Sequence, residues 1–150
     1  MTDKILVPTD GSPASDNALN YAVKLAKMYD SELIVLNVIN FSIATVFHGV
    51  SIKQKLKEEL EERAKRIVGR SVNNARSMGV NAEGEVRQGS PDKEIIALTK
   101  ERSDILLIVM GAYGKNFLER QLVGSKTEGV LRRLPGLKVP LVVVPHPHKK

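Results

Sequence analysis

Apolar residues in this chain follow two patterns that take turns. Short runs at Lys4 to Pro8 (KILVP), Glu32 to Val38 (ELIVLNV), Ile105 to Met110 (ILLIVM) and Leu141 to Val144 (LVVV) read as strands. The unbroken run from Ile105, with no 3.6-residue period, is the signature of a strand buried on both faces. Between the runs, helical spacing takes over. Ala18, Tyr21, Ala22, Leu25, Ala26 and Met28 share one face of a helix that runs to Asp30. Leu56, Leu60, Ala64, Ile67, Val68, Val72, Ala75 and Met78 share another within Ile52 to Met78, opposite a dense mix of Lys, Glu and Arg. Glu94 to Glu101, and Ser125 to about Leu134, are two further helices. Asn81 to Gln88 is polar and weakly alternating, a poor strand suited to a sheet edge. Asn40 to Ser51 has no period and reads as a loop packed on the domain or on a partner.

The punctuation agrees with these elements. Asp10-Gly11 makes a turn, Ser12 is placed to cap a helix and Pro13 to be its first residue. Gly79 fits a C-cap. Ser90-Pro91 repeats the helix-start signal, and Pro135-Gly136 breaks the last helix. The order β-α-β-α-β-α-β-α-β predicts a parallel sheet covered on both faces. With right-handed crossovers the simplest closure is a single α/β domain over residues 1–150, a doubly wound five-stranded sheet with a flexible tail at 145–150.

Composition narrows the function classes. The net charge of +6 suggests nucleic acid, but the cations are scattered and aromatics are only 4%, too few for a base-stacking platform. A solvated basic surface is the better reading. Without cysteine there is no thiolate metal site, disulfide frame or cysteine nucleophile. No apolar run approaches the roughly 20 residues of a membrane span, and MTDKILVPTD lacks the parts of a signal peptide. A cytoplasmic location is expected. The three histidines, His48, His146 and His148, fall in a loop and a tail and suggest no metal site.

The chemistry gathers where the sheet reverses its strand order, beyond the carboxyl ends of the strands. Two loops would meet there, Thr9 to Ser12 and Gly111 to Thr127. The second follows a buried strand, carries Gly111, Gly114 and Gly124, and leads into a helix through Ser125, Lys126 and Thr127. Glycine lets backbone approach a ligand, and the free N–H groups of a helix start favour an anion. Each glycine alone could be an ordinary turn, but three in one loop point to anion binding. Asp10 in the first loop could accept hydrogen bonds from ribose hydroxyls. From local sequence alone, its role as a turn former in Asp-Gly is the stronger reading. A P-loop is excluded because no glycine directly precedes Lys126, and a receiver domain because Val86-Arg87-Gln88 at the end of the third strand holds no phosphoryl-accepting aspartate.

The spacing Gly111, two residues, Gly114, nine residues, Gly124-Ser125 resembles, without a gap, the ATP-binding motif of the universal stress protein family. The likeness extends over nearly the whole chain, through ILVPTDGS, LNVIN, GSP, DILLIVMGAYG and PLVVVP. It implies strand order 3-2-1-4-5 and a homodimer paired through the last strand, Leu141, Val142, Val143 and Val144. It implies an adenine nucleotide, ATP or AMP/ADP, with Mg²⁺ or Mn²⁺ accompanying the phosphates. Pro8, Thr9 and Val38 would surround the base, and Asp10 would meet the ribose and the metal side. Met110, Gly111 and Gly114 would line ribose and phosphates, with Lys115 as the basic residue after the second glycine. Gly124, Ser125, Lys126 and Thr127 would donate to the phosphates. Ala112-Tyr113 and Asn116-Phe117 depart from the family pattern, and bulk at Tyr113 and Phe117 motivates an alternative, a nucleotide-independent interaction module of the same fold. No general base or nucleophile is placed for catalysis, so hydrolysis, the third reading, would be slow.

Overall fold

The computed structural model describes residues 2–41, 53–112 and 125–145. Strands β1 (Lys4–Pro8), β2 (Glu32–Ile39), β3 (Ala82–Gln88), β4 (Ile105–Gly111) and β5 (Leu141–Val144) form one parallel sheet in the order β3-β2-β1-β4-β5. Helices α1 (Pro13–Tyr29), α2 (Lys53–Ser77), α3 (Pro91–Glu101) and α4 (Ser125–Arg132) cover it, and a 3₁₀ turn at Leu134–Gly136 leads toward β5. This is the doubly wound α/β domain with the strand order implied by the family resemblance.

Each face of the sheet has its own core. On one, Ile5, Val7, Leu33, Val35, Leu107 and Val109 pack with Ala18, Leu19, Ala22 and Val23 of α1 and Val68, Val72 and Ala75 of α2. On the other, Leu6, Ile34, Leu36, Ile108 and Met110 pack with Ile95, Ile96 and Leu98 of α3 and Val130 of α4. Reversing the winding direction moves right-handed crossovers to the other face, so two helices fall on each.

One irregularity interrupts the strict alternation of β4. Lys4 pairs with Ile105 but Ile5 pairs with Leu107, leaving Leu106 as the extra residue of a β-bulge. Leu106 and Leu107 therefore face the same core, and Ile105 and Ile108 face the other.

The caps follow their sequence signals with one difference. Ser12 caps α1, its Oγ accepting from the Ser15 N–H at 3.2 Å, with Pro13 in the first turn. Gly79 takes φ +88 after α2, which residues with a Cβ resist. Ser90 precedes α3 but makes no side-chain cap bond, because its hydroxyl donates to Asp92 at 2.6 Å. The last helix ends at Arg132, before Leu134, where the chain tightens into the 3₁₀ turn.

Of β3 only Ala82 is buried, and it ends the sheet as its weak pattern suggests. Arg87 on that strand lies among Glu85, Glu94 and Glu101, a charged margin that discourages pairing with another chain. β5 closes the opposite end with Leu141, Val142 and Val143 half-buried.

Candidate functional site

The order reverses between β1 and β4, and there the loop following β1 meets the first turn of α4, which is tied to the end of β4. The loop after β1 is built from its own polar side chains. Asp10 Oδ1 accepts the Ser12 N–H at 2.9 Å and the Ser15 hydroxyl at 2.8 Å. Thr9 Oγ1 accepts the Gly11 N–H at 3.1 Å, and Gly11 adopts φ +79. Asn37, buried near the end of β2, donates its side-chain amide to the Thr9 carbonyl at 2.7 Å. From α2, Arg70 donates to the Gly11 carbonyl at 3.3 Å and to Asp16 at 3.2 Å. Asp10 is thus the turn former that local sequence suggests. Its second oxygen has another role.

That oxygen, Oδ2, stands 3.7 Å from the Lys126 ammonium in the first turn of α4. The Asp10 side chain is 12% exposed and that of Lys126 46%. Burial opposes ionisation of Asp10, but the hydrogen bonds from Ser12 and Ser15 and the Lys126 charge outweigh it. The carboxyl titrates below the ordinary aspartate value.

α4 has only eight residues, too few to be stable as an isolated helix. Tertiary contacts hold it in place. Val130 is fully buried, which stabilises by roughly 1.5–3 kcal/mol. The buried Thr127 donates its hydroxyl to the Gly111 carbonyl at 2.8 Å, tying the helix to the end of β4. A Cβ on Gly129 would come within 2.9 Å of Asp92 Cβ, so α3 and α4 approach closely, and Arg133 donates to Asp92 at 3.0 Å beside this contact.

Two helix N-termini therefore sit at the switch point, and they are not equivalent. The first turn of α1 is occupied by Ser12, which accepts from Ser15 and Asp16, and Asp10 takes the N–H of Ser12 itself. At α4 the first amides have no partner within the helix, and Lys126 adds a cation. The start of α4 thus carries positive character, beside the Asp10 carboxylate.

The remaining expected residues divide in three. Pro8 ends β1, Thr9 follows it with its N–H bonded to the Leu36 carbonyl at 2.8 Å, and Val38 lies near the end of β2. Met110 and Gly111 end β4, but the Met110 side chain is buried in the second core, so toward the loops it can offer only backbone. Gly114, Lys115 and Gly124 lie outside the described residues, as do Tyr113, Asn116, Phe117 and the histidines. Ser15, Asn37 and Arg70 were not singled out from the sequence. Asn37 had a usable signal, a polar residue inside an apolar strand run, whereas Ser15 and Arg70 had none. Among the described residues, no group of three or more His, Cys, Asp or Glu could hold a metal ion, and no helix is long and apolar enough to cross a membrane.

The fold defines a doubly wound α/β protein in which Asp10 and Lys126 face each other where the strand order reverses between β1 and β4. The sequence profile of the Universal stress protein family matches residues 1–145, and the chain belongs to that family. It is 33% identical over 148 residues to Universal stress protein MJ0531 of Methanocaldococcus jannaschii, covering 98% of this chain and 84% of the relative. The solved structure of MJ0577 from the same organism superposes with a TM-score of 0.82 at 29% identity, covering 99% of both chains. The universal stress protein of Archaeoglobus fulgidus in complex with dAMP shares the fold, with a TM-score of 0.69 at 18% identity, covering 95% of this chain and 97% of that one.

Proposed function

We propose that this protein is a cytoplasmic regulatory module that binds an adenine nucleotide, ATP or its AMP and ADP relatives, and acts as a homodimer on a protein partner. The observation that carries the reading is the Asp10–Lys126 contact across the strand-order switch. It sets a carboxylate suited to ribose hydroxyls beside a cation and helix amides suited to phosphates. A relative of the same fold that holds dAMP supports the choice of adenine.

Pro8, Thr9 and Val38 would surround the base, with Asp10 on the ribose. Met110, Gly111, Gly114 and Lys115 would follow the sugar and phosphates, and Gly124, Ser125, Lys126 and Thr127 would donate to the phosphates. The Thr127 hydroxyl is already committed to Gly111, so Thr127 would use its backbone N–H. With Asp10 the carboxylate at this point, Mg²⁺ or Mn²⁺ would travel on the phosphates rather than in a protein cage. The dimer would form through β5, whose valine row and unpaired backbone are covered by a second copy.

Calorimetric titration of nucleotide-stripped protein tests the ligand. Saturable heat with ATP is expected, and no heat at millimolar ATP would sink the reading.

A further inference from the structure

β1 leaves the sheet at Thr9, and the way it leaves singles out one side chain. In a parallel sheet a residue directs both its N–H and its carbonyl to one neighbouring strand, and the next residue directs both to the other. Leu36 faces β1: it pairs with Pro8, and its carbonyl accepts the Thr9 N–H at 2.8 Å. Ile39 faces β3, its carbonyl accepting the Gly89 N–H at 2.9 Å. Val38, two residues on from Leu36, therefore turns its backbone toward β1. The next rung of the ladder would run from the Val38 N–H to the Thr9 carbonyl.

That rung is not formed. Strand pairing stops at Pro8 and Leu36, and the Thr9 carbonyl accepts from the Asn37 side-chain amide at 2.7 Å instead. The orientation of that amide follows from chemistry, since only its NH₂ group can donate to a carbonyl. By strand alternation Asn37 shares a face with Leu33 and Val35 of the first core, and it is 9% exposed. An apolar residue would continue this row, and a buried amide is unfavourable there unless it is hydrogen-bonded. Among the described residues, the Thr9 carbonyl is the one partner of the Asn37 side chain.

We propose that Asn37 is a positioning residue for base recognition. By taking the Thr9 carbonyl it stops the β1–β2 ladder from closing one rung further, so the Val38 N–H stays open to a ring-nitrogen acceptor of a nucleobase lying past the end of β1. The inference rests on the nucleotide reading above, which puts Val38 beside the base.

Removing the amide shows why. A buried carbonyl left without a donor is costly, and it takes the nearest one that register supplies. In Asn37→Leu that donor is the Val38 N–H, already aligned with it by the pairing of Pro8 and Leu36. The closed rung would spend on the sheet the donor that the base needs. The start of α4 would not change, because Thr127 and Val130 seat that helix.

Nucleotide-stripped, ¹⁵N-labelled protein tests this with and without ligand. In the free protein, Asn37→Leu should slow hydrogen exchange of the Val38 amide by about tenfold or more, because a paired N–H exchanges only when the ladder opens. In calorimetry the same variant should raise the ATP dissociation constant about fivefold, the worth of one net hydrogen bond, and leave that of inorganic tripolyphosphate unchanged. Asn37→Asp, nearly the same shape but without a donor at neutral pH, should do likewise and serves if the leucine variant does not fold. Val35→Ala, a cut in the same core, should lower the thermal midpoint and alter neither readout. Unchanged Val38 exchange in both Asn37 variants, or equal weakening of ATP and tripolyphosphate, overturns the role of Asn37. A wild type that binds no ATP, with Val38 exchange still slowed in the variants, overturns the nucleotide reading and leaves Asn37 as the residue that holds the ladder open.

Discussion

Asp10 Oδ2 and the Lys126 ammonium, 3.7 Å apart, join the loop after β1 to the first turn of α4. Residues from opposite ends of the chain thereby share one site. Asp10 Oδ1 is engaged by its own turn, so the two oxygens of one carboxylate divide between the turn and the cation of α4.

Lys126→Met tests that division. Removing the cation raises the Asp10 pKa, which is held below its ordinary 3.8. A carboxyl depressed in the folded state contributes stability above its unfolded value and loses it as pH falls through the folded one. The variant should begin acid unfolding at higher pH, measured by circular dichroism from about pH 5 to about pH 2. An unchanged profile would remove Lys126 as the counter-ion. An exposed charge contact is worth up to about 1 kcal/mol, so ATP affinity should weaken up to about fivefold while adenosine affinity holds.

Gly111 is required by a close approach. A Cβ there would stand 2.7 Å from the Ala14 carbonyl oxygen, which as backbone yields little. Gly111→Ala should destabilise by about 1–3 kcal/mol in urea titrations. Gly69, inside α2 with no atom within 4 Å of the same position, is the control. Gly69→Ala should stabilise by about 0.5–1 kcal/mol through helix propensity. Equal effects at the two glycines would rule out the steric explanation.

Gly84 on β3 faces α2 so closely that a Cβ would lie 2.2 Å from Val68 Cγ1. Gly84→Ala alone should cost about 1–3 kcal/mol. In a Val68→Ala background the added methyl has room, and a double-mutant cycle should show coupling of the order of 1 kcal/mol or more. Additive effects would mean that α2 moves away rather than clashing.

Ser71, 1% exposed on α2, has a hydroxyl with no hydrogen-bond partner among the described residues. Burying an unpaired hydroxyl costs about 1–3 kcal/mol. Ser71→Ala should therefore leave stability unchanged or raise it by up to about that amount, read from the thermal midpoint. A clear loss would reveal a partner for the hydroxyl.

Much of the architecture was legible because periodicity reports which faces are buried. The apolar runs located β1, β2, β4 and β5, and the weak pattern of Asn81 to Gln88 matched an edge strand with one buried residue. Ser12-Pro13 marked the start of α1 because capping is a local hydrogen bond. The bulge at Leu106 left no trace, since an unbroken apolar run looks the same with or without an extra residue. The roles of Ser15 and Arg70 were equally silent, because serines at helix starts and arginines on helix faces are common for other reasons.

The sequence by itself determined the succession of elements, the two glycine-bearing loops and the family, all of which depend on residues close together along the chain. Only the tertiary structure decided that Asp10 faces Lys126, that Thr127 is tied to Gly111, and that Asn17 of α1 meets the Pro145 carbonyl after β5. These contacts depend on how strands stack and helices cross, distances that local spacing does not encode.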